Sequence, residues 1–256
     1  MVCMGEISVV DNTRELYEKD AQNRYERIRN KGFSKVYYNH LLRQSVIAQC
    51  LSEVQQGCVA WDIGCGTGVW CEYLSQRCNK VVGLDFSGRS IAIARKSARR
   101  QKIMNIEYHV RDVRNIVESN CADIVLCISV LQHIDRQTEF IGKLSRMLHI
   151  DGKLVLLVQN RQCIYNRGLR TSKFAVNKYV SYKEIQAMLD SHGLEVMRYE
   201  YLWHFLLDFI FYGYTKFDCS GMRQLAKRLL SWITRFDRNP RHYRELILLC
   251  KKRQKL

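Results

Sequence analysis

A chain of 256 residues with 47% hydrophobic side chains can bury one sizeable core, and its N-terminus shows no apolar leader and no run long enough to cross a bilayer, so a soluble cytoplasmic protein is expected. Its eleven cysteines are odd in number and contain no CxxC pair, which argues against a disulfide framework and a zinc site and for reduced, mostly buried thiols; no metal is expected. The formal charge of +16 is concentrated in two stretches, Arg89–Lys102 with six basic and no acidic residues, and Thr215–Leu256 with twelve basic against three acidic. Such stretches fit either a polyanionic partner, RNA or an anionic membrane, or a solvated helix face and a basic tail.

In chain order, Thr13–Asn30 reads as a polar helix capped at Asn12 or Thr13 and stopped by Asn30-Lys-Gly32, and Ser34 to about Leu51 as a second helix. Tyr17, Tyr25 and Tyr38 fall on these helices, either as site residues or as packing onto a sheet. Together residues 1–55 form an expected N-terminal helical cap.

Residues Cys58–Gly68 are an apolar run interrupted by Asp62 and closed by Gly64, Gly66 and Gly68. That is a buried strand feeding a loop whose backbone can take positive φ and approach a ligand closely, and Val69-Trp70 then open a short helix to Leu74. A second apolar run, Val81–Asp85, ends in an acidic residue seventeen positions after Gly68. Dinucleotide-binding loops space their glycines as GxGxxG, whereas this one reads GxGxG behind an acidic residue.

This pairing of loop and acid resembles the class I S-adenosylmethionine-dependent methyltransferases, whose first motif reads D/E-x-G-x-G-x-G. The resemblance covers about Cys58–Val158, more weakly to Cys250, and departs at Trp61, where the family has a smaller aliphatic residue, and at Trp70. It implies an α/β, doubly wound seven-stranded mostly parallel sheet with an antiparallel last strand, in a methyltransferase domain of residues 56–256. S-adenosyl-L-methionine is the implied cofactor, with Asp62, Gly64, Cys65, Gly66 and Gly68 along it and Asp85 and Phe86 at its ribose. A carboxylate there accepts hydrogen bonds from the ribose diol.

Ser90–Arg100 reads as a basic helix and Ile106–Val110 as an alternating strand. By the resemblance, Asp112 accepts from the adenine amino group and Val113 reads the ring through its backbone; a helix N-cap is the alternative for Asp112. The stretch Ala122–Ile128 followed by Ser129-Val-Leu-Gln-His-Ile134 is similar to one common in small-molecule methyltransferases. It implies backbone contacts to the methionine part from Cys127 and Ile128, and acceptor contacts from Gln132 and His133, with Tyr25 and Tyr38 as further acceptor candidates. His133 is the candidate general base, since an ordinary imidazole, with a pKa of roughly 6.5, accepts a proton from a hydroxyl at neutral pH; a core histidine with satisfied hydrogen bonds is the alternative.

A helix is expected over Gln137–Leu148, a turn at Asp151-Gly152, and a strand over Lys153–Val158. Ser181 and Glu184 have the spacing of a capping box opening a helix to Leu189; strands follow at Leu194 to about Tyr201 and at Glu245–Cys250. Between them, about 202–238, lies a helical insert: an aromatic run, Leu202–Tyr212, and a basic amphipathic helix over Met222–Phe236. That insert suits peripheral membrane contact through 202–236, the wall of an apolar acceptor pocket, or ordinary packing.

The single proline, Pro240, is followed by Arg241, so neither an Asn/Asp-Pro-Pro-aromatic motif nor a Pro-Cys nucleophile exists, and methylation of base amino groups or of cytosine C5 is disfavoured. The expected function is methylation, foremost O-methylation, of a small-molecule or lipid-like acceptor. The alternatives are an RNA methyltransferase and a non-catalytic regulatory subunit that binds the cofactor.

Overall fold

The computed structural model describes residues 4–29, 35–52, 54, 56–164, 178–204 and 239–254. The helix expected over Met222–Phe236, and the aromatic run beyond His204, lie outside the described residues.

Two helices lead, α1 (Met4–Arg29) and α2 (Lys35–Ser52). The alternating unit follows as β1 (Val59–Ile63), α3 (Val69–Leu74), β2 (Lys80–Asp85), α4 (Gly88–Arg100), β3 (Ile106–Val110) and β4 (Ala122–Ile128). It continues through α5 (Gln137–Met147), β5 (Leu148–Gln159), α6 (Tyr182–Asp190), β6 (Leu194–His204) and β7 (Tyr243–Lys252). One seven-stranded sheet has the order β3-β2-β1-β4-β5-β7-β6, with β7 antiparallel to both neighbours and the other pairings parallel. This is the class I methyltransferase fold.

The burial patterns explain the layering. Central strands such as β4 and β5 are apolar on both faces, as parallel strands covered by helices must be. One face packs on α5 and α6 through Phe140, Ile141, Leu144, Ile185 and Leu189; the other packs on α2, α3 and α4 through Ile47, Leu51, Leu74, Ile91 and Ala94. Cys58, Cys65, Cys71, Cys78, Cys127, Cys163 and Cys250 are buried free thiols.

Local signals account for most boundaries. Ser87 caps α4 by accepting from the Ser90 N–H. Ser181 and Glu184 form the capping box of α6 reciprocally. Replacing Ser181 by Ala is therefore expected to lower unfolding stability by about 1 kcal/mol, measured by urea titration; an unchanged midpoint would mean the box contributes nothing.

Three boundaries differ from expectation. Helix α1 begins nine residues before Thr13, running through the Asn12-Thr13 site read as a cap. Strand β5 starts at Leu148 rather than Lys153 and absorbs the turn: Asp151 takes φ 66°, and the register with β4 jumps between Ala122↔Leu148 and Ile124↔Lys153. Strand β6 continues to His204, paired with Tyr243.

Candidate active site

From β1 the chain crosses to β2 and β3 on one side, and β4 and β5 lie on the other, so the order reverses at the β1–β4 pair. Open α/β sheets form a crevice at the carboxyl ends of strands at such a point. Here it is a cavity of about 840 Å³. The glycine loop after β1, the segment after β4, and α1 and α2 all contribute to its wall.

The glycines act differently. Gly64 has φ 74°, and a Cβ there would collide with the Val130 methyl, so this glycine lets the two loops touch. Gly66 has φ 52°, and a Cβ would meet nothing within 4 Å, which leaves open space along the backbone inside the cavity. Gly68 does not line the cavity; a Cβ there would press on the Tyr108 hydroxyl and Ala94.

Asp85, at the end of β2, holds the loop. Its Oδ2 accepts from the Gly66 N–H at 2.9 Å and its Oδ1 from the Ser87 N–H at 2.9 Å. Burial raises its pKa, opposed by those two N–H groups and by the Arg24 guanidinium. Carboxylate oxygens carry about four acceptor sites, so Asp85 retains capacity for a ligand.

After β4, Ser129 adopts φ 59°, a left-handed conformation costly for a side-chain-bearing residue, and its hydroxyl is buried without a hydrogen-bond partner. Gln132 donates its amide N–H to the Ser129 carbonyl at 2.8 Å and lies 3.4 Å from His133 Nε2. Its Oε1 is buried and unpartnered. Tyr17 Oη lies 3.0 Å from the same Nε2. Nε2 accepts from Tyr17 in the tautomer that carries the ring proton on Nδ1. Burial, reinforced by Arg24, lowers the His133 pKa to about 4, so the imidazole is neutral at pH 7.

Also in the cavity wall, Glu245, on β7, is buried yet ionised. Burial pushes its pKa up, but Arg43, Asn39 and Gln159 more than offset this and hold it below the ordinary range. Arg43 Nε donates to Glu245 Oε2 at 3.0 Å, Gln159 donates at 3.3 Å and Asn39 at 3.4 Å. This cluster fixes α2 to the sheet. Beside it His40 stacks on Trp70 with ring centroids 4.8 Å apart.

Of the residues singled out by sequence, Gly64, Cys65, Gly66, Asp85, Phe86, Asp112, Val113, Ile128, Gln132 and His133 line this one cavity. Four do not, for identifiable reasons. Asp62 is buried behind the loop, where its carboxylate accepts from the Cys71 thiol at 3.3 Å and burial raises its pKa to about 7. Gly68 packs on β3 and α4, and Cys127 sits in the core against α5 and α6. Tyr25 donates to Ser97 Oγ at 3.3 Å on α4 and carries Arg29 over its ring. The Tyr38 side chain lies outside the described part of the structure. Asp112 both faces the cavity and caps the following turn, accepting from the Arg114 N–H at 2.8 Å and pairing with its guanidinium.

Sequence reading did not single out His40, Arg43, Glu245 or the strained Ser129, and it treated Trp70 as a packing departure, whereas Trp70 borders the cavity. No periodicity or motif links these residues. The charge of Glu245 inside an apolar strand was the one available signal.

Residues 61–156 match the methyltransferase domain family. That stretch contains the glycine loop, Asp85 and His133, and it lies within the class I methyltransferase fold. Similar curated proteins include the ubiquinone biosynthesis O-methyltransferase of Bradyrhizobium sp. (strain ORS 278), 32% identical over 119 residues that make up 46% of this chain and 45% of that one. The chain aligns with less than half the length of this relative. Among solved structures, magnesium protoporphyrin IX methyltransferase from Synechocystis PCC 6803 with bound SAH superposes with a TM-score of 0.67 at 17% identity, covering 95% of this chain and 99% of that one. The [4+2]-cyclase SpnF does so with a TM-score of 0.66 at 13% identity, covering 95% and 96%. A cyclase on this fold means that activity has to be argued from the site.

Proposed function

We propose that the protein transfers a methyl group from S-adenosylmethionine to an oxygen of a small-molecule or lipid-like acceptor, with residues 1–55 as a helical cap over a domain of 56–256. The observation that carries this reading is the shared cavity: the Asp85 carboxylate and the open backbone of Gly66 face the same space as the neutral imidazole of His133.

These residues suit the cofactor. Asp85 has acceptor capacity for a ribose diol, Gly66 leaves room for a chain along the loop, and Val113 and Ile128 offer apolar walls. When bound, the cofactor supplies an electrophilic methyl on a sulfonium, open to in-line displacement. The protein's share is alignment, which lowers such barriers by roughly 7 to 11 kcal/mol, and removal of the acceptor proton. His133 Nε2 takes that proton. The relatives named ubiquinone biosynthesis O-methyltransferase support oxygen as the methylated atom.

Replacing His133 by Ala is expected to lower kcat by about 10²- to 10⁴-fold while leaving cofactor affinity unchanged. A base must be unprotonated, and burial has moved this one down to about 4, so kcat/KM should stay level as pH falls through 6.5 and drop only near pH 4. A limb at 6.5 would mean that burial does not depress this imidazole, and full turnover in the alanine variant would remove His133 from the mechanism. The whole reading is tested with methyl-tritiated S-adenosylmethionine, purified protein and fractionated lysate. Label in organic-extractable or soluble small molecules supports it; label in RNA replaces it.

A further inference from the structure

The nitrogen that has to receive the acceptor's proton is already engaged. Tyr17 Oη sits 3.0 Å from His133 Nε2, and the Tyr17 ring is edge-on to His133 at 5.8 Å between centroids and to Phe86 at 5.7 Å. The Arg24 guanidinium lies 4.4 Å over its face. Helix α1 is anchored C-terminal to this residue: Glu18 accepts from the Arg89 N–H at 3.0 Å, and Tyr25 reaches Ser97. Tyr17 is therefore placed by an anchored helix, and its side chain bridges from Phe86, next to Asp85, to the base.

An imidazole nitrogen has one in-plane lone pair. Tyr17 and an incoming hydroxyl cannot both hold it as strong donors. We propose that Tyr17 is a built-in occupant of the acceptor position, a phenol seated on His133 that the true acceptor must displace before its own hydroxyl reaches Nε2. This rests on the reading of His133 as the base. The displacement exchanges one hydroxyl donor for another, so the base is never left open to water between turnovers, and only a ligand that makes up for the lost Tyr17 contact is accepted.

The test uses the full chain and phenol as probe, with the His133 imidazole followed by NMR and assigned by its absence in His133→Gln. Tyr17→Phe keeps the ring against Phe86 and Arg24 but removes the competing hydroxyl. It is expected to bind phenol about tenfold more tightly than wild type, the equivalent of one hydrogen bond no longer displaced. At phenol saturation the His133 resonance should be the same in both proteins. Phenol binding by Tyr17→Phe that is absent, or no tighter than wild type, overturns the proposal. So does a His133 resonance that still differs at saturation, since Tyr17 would then have stayed in place. Calorimetry with S-adenosylmethionine alone separates this from the proposed function: failure to bind the cofactor sinks the methyltransferase reading and leaves the phenol result standing.

Discussion

Replacing Asp85 by Ala is expected to weaken S-adenosylmethionine binding by about 100-fold, because two losses coincide. The variant removes the charged acceptor for a ribose diol, and hydrogen bonds to a charged group contribute roughly 1.5 to 3 kcal/mol each. It also frees the Gly66 and Ser87 N–H groups that Asp85 ties at 2.9 Å, so the glycine loop loses one of its fastenings to β2 and α4 loses a contact at its entry. Asp85→Asn keeps one carbonyl acceptor and the side-chain shape, and its loss should fall between wild type and alanine. Calorimetric titration with the cofactor and with its demethylated product measures both. Wild-type affinity in the alanine variant would mean that the cavity does not hold the cofactor as proposed.

The second large effect concerns stability. Arg43→Ala leaves the buried Glu245 charge without its guanidinium, and breaking a buried pair from one side costs about 3 to 5 kcal/mol. Asn39 and Gln159 still donate to Glu245, which argues for the lower part of that range. Urea unfolding checks this. The double variant Arg43→Ala, Glu245→Gln should recover part of the loss, because no charge then remains buried. If the single and double variants unfold at the same midpoint, the burial of Glu245 is not what Arg43 compensates.

Much of the fold was legible because the signals are local. The apolar run ending in alternate glycines, the acidic end of β2 and the Ser181–Glu184 box each specify a backbone geometry within a few residues. The same locality explains why the lie of individual side chains was not legible. Asp62 has Cys71 only nine residues on, yet no pattern in that stretch shows that the carboxylate turns behind the loop to the thiol instead of facing the cavity. Cys127 and Ile128 are adjacent in a strand, so their side chains take opposite faces, one to the core and one to the cavity. Tyr25 lies eight residues from Tyr17 on the same helix, yet it meets α4 while Tyr17 meets His133. The Tyr17–His133 and Arg43–Glu245 pairs join residues 116 and 202 positions apart, a separation over which a single sequence carries no pattern.

The sheet's last pairing bears on how this site could change over generations. Because β6 runs alongside β5 and β7 runs against both, His204 and Tyr243 meet at the same end of the sheet as Gln159 and the cavity. The chain between them departs from that end and comes back to it, two residues before Glu245. Changes of length or sequence between His204 and Tyr243 would therefore be anchored beside Glu245 in the cavity wall, while strand register and the glycine loop stay untouched. Such an arrangement lets one wall of the cavity drift independently of the glycine loop and Asp85.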